Sequence, residues 1–98
     1  MQKTDHAIKV EQIKDALRGI ITIPKNRSLR RYTHGWSNPE RTEYYIGYMW
    51  SRPLSNHMTG MVYDVTIARG RDFDSALEKA RDVMLKKRAA MVNASAAI

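Results

Sequence analysis

Apolar residues recur with two different periods along this chain, and each period predicts an element. Ala7, Val10, Ile13 and Leu17 return at three- and four-residue spacing, with Lys9, Glu11, Gln12 and Lys14 largely between them. That is the stripe of an amphipathic helix over residues 5–18, a face used for core packing. Thr4 or Asp5 caps it, Asp5 sits where the helix dipole favours an anion, and Gly19 ends it. A second helical stripe comes late: Leu77, Ala80, Val83, Met84 and Met91 predict a helix from 76 to about 90. Ser75-Ala76-Leu77-Glu78 reads as its capping box, with Ser75 as N-cap, and Phe73 packs back on the sheet.

Between the helices the period drops to two. Thr42 to Ser51 is the clearest strand, with Tyr44, Ile46, Tyr48 and Trp50 on the core face and Glu43, Tyr45, Gly47, Met49 and Ser51 on the other. Met61 to Arg69 predicts its antiparallel partner, with Met61, Tyr63, Val65 and Ile67 facing one way and Val62, Asp64, Thr66 and Ala68 the other. Pro53 to Gly60 is the polar turn between them. Ile20 to Ile23 is short and β-branched, a candidate first strand ended by Pro24. Lys25 to Arg31 reads as a basic loop or irregular strand, and Thr33 to Arg41 as a loop, because His34-Gly35 and Ser37-Asn38-Pro39-Glu40 are turn chemistry. Residues 93–98 are expected to fray, leaving 1–92 as a single domain. The fold class is α+β: a two- or three-stranded antiparallel sheet with an N-terminal and a C-terminal helix packed on it, in the order α-β-β-β-α. Helices on one face leave the other free to bind.

Size and composition narrow the function. Ninety-eight residues hold one core, and a 43% hydrophobic fraction is enough to build it. No cysteine is present, which excludes disulfides, thiolate zinc sites and cysteine nucleophiles. The apolar runs are only a few residues long, as in Ala89-Ala90-Met91-Val92, so no transmembrane helix and no membrane partner is expected. Met1 to Val10 lacks the apolar stretch of a secretory leader, and cytoplasmic residence is the expectation.

Charge changes the picture more. The formal net charge is +7, and residues 24–71 carry eight cations against three anions, whereas the first 23 and last 27 residues each net only +1. Seven of those eight cations are Arg, and the same segment holds seven of the eight aromatics. Arginine binds phosphate bidentately and stacks on planar rings, so the mixture points to nucleic acid. The candidate nucleic-acid-binding residues are Arg27, Arg30, Arg31, Arg41, Arg52, Arg69 and Arg71, at strand ends and loops. Tyr32, Trp36 and Tyr45 join them at loop or outer-face positions. Tyr44, Tyr48 and Trp50 are assigned to the core.

Other chemistry is faint. His6, His34 and His57 are far apart, with no metal-ligand spacing, and Asp72 with Asp74 is ordinary helix-start chemistry. No P-loop, nucleophile elbow or dinucleotide fingerprint occurs, so neither a metal nor a cofactor is expected and the chain reads as non-enzymatic. Gly19-Ile20-Ile21 and Tyr45-Ile46-Gly47 resemble the two halves of the GIY-YIG nuclease signature, although about 23 residues separate them here.

Tyr44-Tyr45-Ile46-Gly47-Tyr48, Val62-Tyr63-Asp64-Val65-Thr66-Ile67, and Phe73-Asp74-Ser75 leading into a helix with Ala76, Ala80 and Ala89 resemble a further group. These are the three-stranded-sheet-plus-helix DNA readers: the arm-site-binding domains of phage-type tyrosine recombinases and the plant ethylene-response-type domains. The resemblance covers about half the chain. It implies a sheet that enters the major groove with a helix behind it, and a phage or mobile-element setting. The long N-terminal helix and the Thr33–Arg41 segment depart from that pattern. The order of elements is also that of double-stranded RNA-binding domains, but Asp72 and Asp74 stand where those carry lysines. Duplex DNA is therefore the expected partner, ahead of RNA. A small inhibitor or adaptor that binds a protein is the alternative, because Tyr, Trp, Arg and Met are also hot-spot residues.

Overall fold

The computed structural model describes residues 4–24, 27–52 and 62–96. Five elements follow in the order α1 (Asp5–Leu17), β1 (Ser28–Trp36), β2 (Tyr44–Ser51), β3 (Val62–Gly70) and α2 (Phe73–Ala96). The strands form one antiparallel sheet in the order β1-β2-β3. This is the α-β-β-β-α architecture the periodicities predict. The expected Pro53–Gly60 turn, the Met61 strand start, Lys25 and His57 lie outside the described residues.

Each element follows from local chemistry. Thr4 caps α1, its hydroxyl accepting from the Ala7 N–H at 3.1 Å. Lys9 pairs with Asp5 at 3.1 Å one turn away. Gly19 ends the helix at φ +78°, a conformation that costs other residues roughly 1–2 kcal/mol. Arg88 donates to the Gly19 carbonyl and ties this end of α1 to α2. Ile20 to Ile23 carries no strand and packs against the core from an extended connection.

Two boundaries differ from expectation for physical reasons. β1 takes in Thr33 to Trp36, because Gly35 and His34 pair with Tyr45 and Ile46 of β2 and the ladder outweighs local turn preference. α2 starts at Phe73 rather than 76. Asp72, not Ser75, holds the first turn: its carboxylate accepts from the Ser75 N–H at 2.8 Å and its carbonyl from the Ala76 N–H at 3.0 Å. That hydrogen bond to the Ser75 N–H holds the Asp72 carboxyl below the usual carboxylate range. The helix also runs beyond 90, as far as Ala96.

Both helices cover one face of the sheet. Ile13 and Leu17 of α1 and Ala76, Ala80 and Met84 of α2 meet Tyr32, Tyr44, Ile46 and Tyr48, all buried. Ala76, Ala80 and Met84 recur at four-residue spacing, and the two alanines let α2 lie close to the sheet. The even positions of β2 form this core, as the alternation predicts. On β3 the alternation breaks. A register shift at Ile46/Gly47 sets Ala68 opposite Ile46 and Thr66 opposite Gly47, so Ala68 turns to the helix side with Ile67 instead of to the open face. Met91 departs too: it is 57% exposed, because a 24-residue helix of about 36 Å outruns nine-residue strands of about 30 Å.

Candidate nucleic-acid interface

The sheet face opposite the helices carries polar and charged side chains from all three strands. It curves into a shallow concavity of about 540 Å³. Arg31 and Thr33 of β1, Tyr45 and Met49 of β2, and Asp64, Thr66 and Arg69 of β3 line it, with Trp36 and Ser37 at one end. Its centre is open because β2 has Gly47 there. A Cβ at Gly47 would fall 2.3 Å from the Val65 carbonyl oxygen and 3.1 Å from Thr33 Oγ1. The same bulge that displaces Ala68 brings the β3 main chain close to Gly47.

The candidate side chains are held in distinct ways. Arg31 lies along the neighbouring strand with Nε 3.0 Å from Met49 Sδ. Arg69 of β3 pairs with Glu43, just before β2, at 3.3 Å in a solvent-exposed ion pair of the kind that contributes little to stability. The Tyr45 ring lies against Gly35, with Cε1 3.4 Å from where a Cβ would stand. Trp36 is 40% exposed; one edge meets the Tyr44 ring at 4.9 Å and the rest reaches the concavity. Asp64 is the only anion among the lining residues, set opposite Met49.

The remaining arginines gather at the two ends of the sheet. Arg30 sits at a bulge in β1 and donates from Nε to Ser51 Oγ at 2.6 Å, covering that buried hydroxyl. Arg52 is exposed just past the end of β2, at the same end of the sheet as Arg30. At the opposite end Arg41 and Arg71 are exposed in the connections next to Trp36 and Gly70. Arg41 adopts φ +57°, held by a loop in which Asn38 bonds the Thr42 N–H at 3.0 Å and the Thr42 hydroxyl at 2.7 Å.

Two candidates do not belong to this face. Tyr32 is 6% exposed and lies in the core opposite Tyr48, where burial pushes its hydroxyl pKa up; the strand alternation of β1 turns it toward the helices. Arg27 stacks on the helix-side ring of Trp50, 4.1 Å from its centroid, and Trp50 in turn stacks on Tyr63 at 4.5 Å. Thr33 was missed because its segment reads as a loop. Its signal lies in the sequence nonetheless: Tyr32, His34 and Trp36 alternate with Arg31, Thr33 and Gly35.

His6 and His34 serve packing. His34 stacks on His6 at 4.3 Å, contacts the Tyr44 hydroxyl through Nδ1 at 2.5 Å, and contacts the His6 carbonyl through Nε2 at 3.2 Å. Burial lowers its pKa, and the nearby His6 and Lys9 charges lower it further, against the His6 carbonyl and Asp5, which raise it. Among the described residues no group of three or more His, Asp or Glu is placed to hold a metal ion. No described helix is long and apolar enough to cross a membrane. The two halves of the GIY-YIG lookalike are not strand partners: Tyr45 to Gly47 pairs with β1 and β3, and Gly19 to Ile21 follows α1.

No known protein family, curated protein or solved structure matches the chain.

Proposed function

We propose that this chain is a small, non-enzymatic DNA-binding protein that lays its uncovered sheet face in the major groove of duplex DNA. One observation carries the reading. A three-stranded face free of helices holds Arg31, Tyr45 and Arg69 around an open centre, with further arginines at both of its ends. Three strands span two gaps of about 4.8 Å, or roughly 10 Å, which suits a major groove about 12 Å wide. Arg31 and Arg69 then reach guanine edges, Asp64 accepts from a cytosine amine, and Thr33 and Thr66 meet either base type. Arg30 and Arg52 at one end, and Arg41 and Arg71 at the other, contact phosphates. The two ends stand six β2 residues apart, roughly 20 Å, or about six base-pair steps. Trp36 and Tyr45 supply ring contacts to sugar and base. A setting in a phage or mobile element is part of the same reading.

Fluorescence anisotropy with a labelled duplex tests it. Micromolar or tighter binding is expected at about 50 mM salt, falling steeply by about 200 mM. No binding at the lower salt, or binding indifferent to salt, rejects the reading. Should a protein partner survive nuclease treatment and high salt while duplex DNA fails to bind, the adaptor reading replaces it.

A further inference from the structure

A second recess lies on the other side of the sheet, where α2 outruns the strands. It is a groove of about 560 Å³, within the range of small-molecule sites. Its floor is the helix-side face of the sheet at Tyr48 and Val65. One wall is the last part of α2, at Lys87, Ala90 and Met91. The other is formed by Thr22, Pro24 and Arg27, between α1 and β1 in the chain.

The lining has a definite character. Apolar atoms dominate its floor and walls, and Met91 is more than half exposed there instead of packed. Both charged residues among the described lining are cations, and no acid is among the described residues that line the groove. No carboxylate among the described residues pairs with either Arg27 or Lys87. Trp50 fixes the Arg27 guanidinium by stacking, so its position at the rim is set before anything binds.

An apolar recess with two cations at its rim that no described carboxylate pairs complements one class of molecule: an apolar body with one anionic head. A neutral apolar ligand leaves the cations unused, and a small polyanion gains nothing from the floor. We infer that this groove binds a single-chain amphiphilic carboxylate, its tail against Tyr48, Val65 and Met91 and its head at Arg27 and Lys87. The inference is independent of the DNA reading, because none of these groups except Val65, through the other side of its strand, lines the outer face.

The test uses the full chain with dodecanoate as probe and dodecanol as its uncharged counterpart, both below their aggregation thresholds. Calorimetry is expected to show saturable one-to-one binding of dodecanoate, at least tenfold tighter than dodecanol. The Met91 methyl resonance is expected to shift, and that of Met49 on the outer face to stay. Arg27→Gln with Lys87→Gln is expected to weaken dodecanoate at least tenfold and change dodecanol less than twofold. Ala90→Phe, which fills the groove from an exposed helix position, is expected to weaken both. Thermal melts of each variant confirm folding. Equal affinity for the two probes, unchanged dodecanoate binding in the double variant, or a shift at Met49 instead of Met91 overturns the proposal. So does a dimer that Ala90→Phe dissociates while dodecanoate fails to saturate, which assigns the groove to a second copy of the chain.

Discussion

Replacing Gly47 by alanine strikes the one point where core, bulge and outer face meet. The added Cβ would lie 2.3 Å from the Val65 carbonyl oxygen and 3.2 Å from the Thr66 Cα. Real Cβ contacts essentially never fall below 3.0 Å, so the two backbones must part by at least 0.7 Å, the difference between those figures. Neither partner is a flexible side chain. Both belong to strands joined by ladder hydrogen bonds, and Ile46, next in the chain, is fully buried against the helices. Overpacking of this kind costs about 1–3 kcal/mol. For a chain of this size Tm falls by roughly 4–8 °C per kcal/mol, so a drop of roughly 4–24 °C is expected by calorimetry or circular dichroism. Gly35→Ala is the matched control on the same face: its Cβ meets only the Tyr45 ring, at an ordinary 3.4 Å, and a change within about 0.5 kcal/mol is expected. If Gly47→Ala melts with Gly35→Ala and the wild type, the close strand approach at the bulge is wrong.

Asp72→Ala removes the side-chain acceptor of the first turn of α2 and is expected to lower the urea midpoint, with Ser75→Ala lowering it less because its side chain is not the cap. Because Asp72 has a folded pKa below its unfolded value, its contribution is present above about pH 4 and is lost as pH falls through the lowered pKa. His34 also has a lowered folded pKa, so the unfolded chain binds more protons just below pH 6.5. Stability should therefore decline as pH falls from about 6.5 toward the folded value, and His34→Gln should flatten that decline; an NMR titration placing His34 above 6.5 would refute the assignment.

How much of this was legible depended on how strongly each segment spoke alone. β2 did so plainly, since four large apolar side chains on one parity admit only one inward face. α1 likewise carried its own cap, stripe and stop. β1 was hidden, because Arg30, Arg31 and Gly35 make a poor strand in isolation; the segment becomes one by pairing with β2, and bulge and edge position accommodate the arginines. The start of α2 was misplaced because Asp72 and Ser75 are both good caps three residues apart, and tertiary packing of Phe73 against Tyr44 and His34 selects the earlier one. The open face itself followed from alternation on β2. Its membership did not, because the shift at Ile46/Gly47 turns Ala68 inward while Tyr32 follows β1 into the core. Charge counting alone could not separate Arg27 from Arg31, which the fold sends to opposite sides of the sheet.

The proposed function requires that the uncovered side of the sheet, and not the helix side, meets DNA. Arg31→Gln with Arg69→Gln neutralises the open face; Lys79→Gln with Arg81→Gln removes the same charge from exposed positions on α2. Duplex affinities of the two double variants, measured at one salt concentration by anisotropy, compare the faces directly. With each face arginine contributing about 1–3 kcal/mol, the first pair is expected to lose about 2 kcal/mol or more, a factor of roughly 30, and the second pair less than about threefold. Equal losses, or a larger loss from the helix pair, would contradict binding through the uncovered sheet.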